Sequence, residues 1–78
     1  MKITMDQVTN EKAIQEIELA KSKAKMPGLM GASARGFLKA IGENRAMTEK
    51  WIAQGNSAYE NTSGLYLRIF KMQDDGIL

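Results

Sequence analysis

An all-α fold, either a helical hairpin or a small three-helix bundle, follows from three features of the sequence. One proline interrupts 78 residues that are rich in Ala, Glu, Lys, Gln and Met, a composition that favours helix. Phe37, Leu38, Ile41, Met47 (or Thr48), Trp51 and Ile52 recur at three- and four-residue spacing, the period of one helix face. The strongest breaks fall at Met26-Pro27-Gly28, where proline removes a donor and restricts the residue before it, and at Gln54-Gly55-Asn56-Ser57. Together they predict a single domain over residues 1–78 with helices at about 8–25, 32–53 and 58–73 and breaks at 26–31 and 54–57.

The lead-in MKITM alternates polar and apolar residues, but a strand there has no visible partner, so an ordered tail or an early helical turn is expected. Asp6, Thr9 and Asn10 can each cap the first helix. Its narrow apolar face comprises Ile14, Ile17, Ala20 (or Lys21) and Ala24. Glu11, Glu16 and Glu18 lie early and Lys21, Lys23 and Lys25 late, in keeping with the helix dipole. The lysine run also suits phosphate, although a solvated last turn accounts for it as well.

The central helix carries a second row, Gly28, Ala32, Gly36 and Ala40. Small residues every four positions let a neighbouring helix approach closely. This row, with Phe37, Ile41, Trp51, Leu65 and Ile69, is the expected helix-packing interface. Gly36 fits the row; Gly42 has no evident role inside a helix, where glycine costs roughly 1 kcal/mol against alanine.

For the third helix, Ser57-Ala58-Tyr59-Glu60 matches a capping box, with Ser57 as cap and Glu60 reaching back. Ala58, Leu65, Ile69 and Met72 are expected inward, bordered by Tyr59, Tyr66 and Phe70; Gly64 weakens the middle, and Gly76 reads as a stop. The apolar stripe stays nearly in phase across Gly55. One long bent helix, making a hairpin with the first, is therefore an open alternative to three helices.

Composition narrows the function. The chain has no cysteine and no histidine, so disulfide staples are excluded, the common zinc ligands are missing and the usual nucleophile–base pairs cannot be built. No enzyme, cofactor or metal role is expected. A chain this short buries too little apolar surface to be robust alone, so close packing, self-association or a helical partner must complete it. No apolar run reaches the roughly 20 residues that span a bilayer, and MKITMDQVTNEK lacks the apolar block of a cleavable signal. Residues 29–41 also suit a membrane-surface helix, but any core needs the same apolar stripe. Arg35, Lys39, Arg45 and Lys50 line the central helix. Glu43 and Glu49 interrupt them and the net charge is +2, which argues against nucleic acid.

Near the C-terminus, Phe70 and Asp74 are four apart and share a helix face. The short helix–turn–long-helix layout and this aromatic-x-x-x-acid pair resemble the small helical-hairpin (WxG-like) substrates and targeting factors of type VII secretion. The resemblance implies that Phe70 and Asp74 are export or partner-recognition residues. It also implies that the apolar faces bind another small helical protein, a larger secreted protein or a second copy. The protein would be cytoplasmic before export and leave without a cleavable signal peptide. The chain departs from the pattern at the turn, where Trp51-Ile52-Ala53-Gln54-Gly55 sets the glycine two positions late. Type III needle subunits share the small hairpin layout. The alternative function is a small phage- or plasmid-type regulator binding nucleic acid or a host protein.

Overall fold

The computed structural model describes residues 4–78 and is all-α. Four helices, α1 (Asn10–Lys23), α2 (Gly28–Ile41), α3 (Arg45–Ala53) and α4 (Ser63–Asp74), are accompanied by 3₁₀ turns at Met5–Gln7 and Ser57–Tyr59. Of the lead-in at residues 1–5, residues 1–3 lie outside the described residues, and Met5 opens the first 3₁₀ turn.

Thr9 caps α1: its hydroxyl oxygen accepts from the Lys12 amide at 3.0 Å. Ala13, Ile17 and Ala20 are the buried face of α1, and Ile14 lies on the outside. After Lys23 the chain turns through Met26-Pro27-Gly28, with Gly28 at φ +80, a dihedral that favours glycine. The Arg35 guanidinium donates to the carbonyls of Ala24 and Met26 at 2.9 and 3.4 Å, satisfying acceptors left over at the end of α1. Here Gly31 is buried, and a Cβ on it would collide with the Met26 carbonyl. The close approach that small residues allow therefore occurs at Gly31.

The expected central helix over 32–53 is two helices, which also overturns the long bent-helix alternative. Helix α2 ends at Ile41 with Gly42 as its cap, and the Asn44 amide donates back to the Lys39 carbonyl at 2.8 Å. Helix α3 then starts at Arg45. Gly42 is thus a terminator, which explains a glycine that a continuous helix could not. Thr48, completely buried, is the inward residue of α3 in place of Met47, and its hydroxyl donates to the Asn44 carbonyl.

The expected helix over 58–73 also begins later. Asn56, rather than Ser57, caps the 3₁₀ turn by accepting from the Ala58 amide at 2.9 Å. The Ser57–Glu60 capping box does not form, Ala58 is exposed and α4 starts at Ser63. Gly64 therefore sits in the first turn, away from the middle. At both Gly55 and Gly76 the chain closes its helix in the left-handed region. The Asn56 amide bonds Trp51 and the Ile77 amide bonds Met72, each reaching back to a free helix-end carbonyl.

The core comprises Val8, Ala13, Ile17, Ala40, Ile41, Tyr66, Ile69, Phe70 and Met72. Helix α1 packs on α2 and α4, α2 on α3, and the first 3₁₀ turn on α4. Arg68 stitches that last contact, donating to the carbonyls of Val8 at 2.8 Å and Met5 at 3.1 Å. All five aromatic residues join in one seam, Phe37–Tyr66, Trp51–Tyr59, Tyr59–Tyr66 and Tyr66–Phe70, with centroids 5.5–6.2 Å apart. Each such pair contributes about 0.5–1.5 kcal/mol beyond the area it buries. No helix among the described residues is long and apolar enough to cross a membrane.

Candidate interaction surface

Helices α1 and α2 pack on each other with the small buried residues Ala20 and Ala34 between them, and Gly31 sits against the turn that joins them. Their larger neighbours are left on the rim of a groove of about 510 Å³, lined by Glu16, Leu19, Lys23, Leu29, Met30 and Phe37 among others. Leu29 is 87% exposed, Met30 53% and Leu19 50%. Scattered exposed apolar side chains are ordinary, but three large ones along a single groove form a contiguous apolar surface of the kind that meets another molecule. Thr62 and Leu65, before and within α4, also line it. Glu16 stands at one end of it and Lys23 at the other, and the chain beyond is cationic. From residue 19 through 42 the sequence holds Lys21, Lys23, Lys25, Arg35 and Lys39 and no acid.

A larger cleft of about 670 Å³ lies between α3 and the start of α4, with Glu49 and Glu60 on its walls. Glu49 is held by Arg45 as an ion pair on the α3 surface. Ser57, Tyr59 and Ser63 bring hydroxyls to the same cleft, and Glu60 joins no ion pair among the described residues. Among the described residues there is also no cluster of acids able to hold a metal.

The predicted recognition pair divides. Phe70 is 4% exposed and belongs to the core, so it is not a surface recognition residue in this fold. Asp74 is on the surface. Arg45 joins the two: its guanidinium lies 4.9 Å from the Phe70 ring centroid, and its Nη2 is 2.9 Å from the Asp74 carboxylate. The same guanidinium donates to Gln73 Oε1 at 3.1 Å, while Gln73 Nε2 donates to the Ile41 carbonyl at 2.6 Å. This network fixes the corner where α2 gives way to α3. The hydrogen bond from Arg45 holds the Asp74 carboxyl below its usual pKa, and the Asp74 and Glu49 carboxylates push the Arg45 guanidinium further up. Burial raises the Tyr66 phenol.

The expected packing row is mostly outward. Gly28, Ala32 and Gly36 are exposed, and nothing approaches within 4 Å of a Cβ built on Gly28 or Gly36; Ala40 alone of the row is buried. Among the described residues, no helix packs on its Gly28/Ala32/Gly36 part. Ile41 and Ile69 are buried, and Phe37 and Leu65 are half-buried, as packing residues should be. Trp51 is on the outside of α3, 37% exposed and stacked on Tyr59 at 6.1 Å. The sequence offered residues 29–41 as a membrane-surface helix but did not join Leu19 to Leu29 and Met30 as one groove, nor show Arg45 as a fastener. The acid-free run of cations beside MPGLM was the visible sign of the first; the second had none. No family model, curated protein or solved structure matches this chain significantly.

Proposed function

We propose that this chain is a non-enzymatic helical interaction protein that binds another helical chain in the groove between α1 and α2. The observation that carries the reading is the exposure of Leu19, Leu29 and Met30 along one groove floored by small residues. Helix-in-groove recognition uses such a surface, taking apolar anchors three and four residues apart from the incoming helix. Over residues 29–37 the groove wall is about 12 Å long at 1.5 Å per residue, enough for two turns of a helix. The non-enzymatic part rests on a chain without histidine or cysteine.

Cross-linking mass spectrometry on the tagged protein, captured from nuclease-treated lysate of its native host, tests this. The expected result is a stoichiometric helical chain cross-linked to Lys21, Lys23 or Lys25 and lost with Leu29→Glu. An identical captured set with Leu29→Glu would refute the groove as the binding surface. A narrower form of the proposal, an exported substrate or targeting factor, draws support only from Asp74, the exposed half of the C-terminal pair. Asp74→Ala should then stop export, and unchanged export removes that narrower form.

A further inference from the structure

We infer, building on the helix-binding reading above, that the occupant of the groove is a second copy of this protein, with its α1 laid antiparallel along the first. The groove-facing row of α1 is Glu16, Leu19, Ala20 and Lys23, spaced at three and four residues and hence on one face. Reversed about the midpoint between Leu19 and Ala20, this row is its own complement. Glu16 faces Lys23 of the second copy, and Leu19 faces Ala20. Glu18 and Lys21, on the adjoining strip, obey the same relation. A parallel overlay sets glutamate against glutamate and lysine against lysine, so charge selects the antiparallel one.

The surroundings agree. The acidic half of α1, with Glu11, Glu16 and Glu18, comes to lie over the acid-free end that carries Lys21, Lys23 and Lys25. Lys23 joins no ion pair among the described residues, and Glu16 has Lys12 at 3.0 Å on an exposed helix face. Ala20, Ser33 and Ala34 leave the groove floor low, so Leu19 of the second copy seats beside Leu29 and Met30. The two-fold relation repeats each contact and closes the assembly as a dimer, without an open end. An anionic lipid surface suits the lysines and Leu29, but it would bring Glu16 and Glu18 against like charge.

Sedimentation equilibrium up to about 1 mM, where a weak dimer still registers, is the first test. The expected result is a mass that doubles with concentration. Lys23→Glu and Glu16→Lys each place two like-charge pairs across the axis and should weaken association about tenfold or more, whereas the double swap Glu16→Lys/Lys23→Glu restores it. Circular dichroism verifies that each variant is folded. The chain has no cysteine, so Leu19→Cys supplies a single thiol beside the axis. Mild oxidation should cross-link it far faster than Lys50→Cys on α3.

A wild-type protein that stays monomeric throughout, or single and double swaps that associate equally poorly, overturns the second-copy assignment. If a different helical chain is still captured and lost with Leu29→Glu, the helix-binding reading stands while this inference fails. Binding of the monomer to phosphatidylglycerol vesicles without self-association gives the surface to lipid and also overturns it.

Discussion

Two glycines five positions apart in α2 should respond to alanine with opposite signs. Gly36 is exposed, and nothing lies within 4 Å of the position its Cβ would take. Gly36→Ala therefore adds only helix propensity and a stiffer unfolded chain, a gain of about 0.5–1 kcal/mol. At Gly31 the same methyl meets the Met26 carbonyl, a backbone atom held by the turn and by Arg35. Forcing extra volume into a tight contact costs about 1–3 kcal/mol, and a rigid carbonyl places this case at the upper end. Subtracting the propensity gain of about 1 kcal/mol leaves Gly31→Ala less stable by roughly 2 kcal/mol. In a domain of this size 1 kcal/mol moves Tm by about 4–8 °C, so the variants should melt on opposite sides of wild type, about 12–24 °C apart. Urea denaturation at one fixed protein concentration gives the same comparison as free energies. Shifts of equal sign, or a difference under about 1 kcal/mol, would refute the claim that Gly31 is the close-approach residue and that Gly36 meets no other side chain among the described residues.

Ile69 is fully buried, and Ile69→Val should cost about 0.5–1.5 kcal/mol in the same denaturation assay; no change there places the core elsewhere. Leu29→Glu, at a side chain 87% exposed, should leave stability within about 0.5 kcal/mol while removing partner binding. A large loss of Tm makes Leu29 structural instead. Asp74 has a folded pKa below its unfolded one, so its stabilising contribution is present above the unfolded pKa near about 3.9 and fades as pH falls through the folded value. Arg45→Met should return the Asp74 carboxyl, followed by NMR, toward that unfolded value; an unmoved titration removes Arg45 as the cause. Tyr66 runs the other way. Its raised pKa means the unfolded chain loses the phenolic proton first, so stability falls as pH rises from the unfolded pKa near about 10 toward the folded one. Tyr66→Phe should flatten that alkaline decline, and an identical decline assigns it to other groups.

The helical class was legible because composition and spacing point the same way, and Pro27 marked the first boundary without ambiguity. Division of the central stretch was not legible from periodicity. Ile41 and Thr48 are seven apart, so the stripe keeps phase whether or not the helix breaks between them. Gly42, an unexplained cost in a continuous helix, was the one local sign. Ser57 illustrates a different limit. Its capping-box pattern is a local preference, and Asn56 one residue earlier takes the capping role while the chain spends residues 57–62 bringing Tyr59 onto Trp51 and Tyr66. The Phe70 and Asp74 pair was correctly placed on α4, but spacing does not say which of two neighbours turns inward. Phe70 stacks on Tyr66 one turn earlier in α4 and lies under Arg45 of α3, a residue far from it in sequence that no short motif contains.

The groove follows from how the core is partitioned. The aromatic seam runs through α2, α3 and α4, with Phe37 also reaching the groove, and polar stitches from Arg45, Gln73 and Arg68 close the corners. Between α1 and α2 the groove floor is made of Ala20, Ser33 and Ala34, which are too small to cover what flanks them. Leu19, Leu29 and Met30 are therefore left outside by geometry, with no element among the described residues lying over them. Leaving three large apolar residues in water forgoes about 1.5–3 kcal/mol for each one that could be fully buried. A surface of that kind is costly for an isolated monomer and favourable for a complex. In the proposed dimer the reversed charge order of α1 selects the covering helix, one that presents glutamates where this chain has lysines, as a second α1 running the opposite way does.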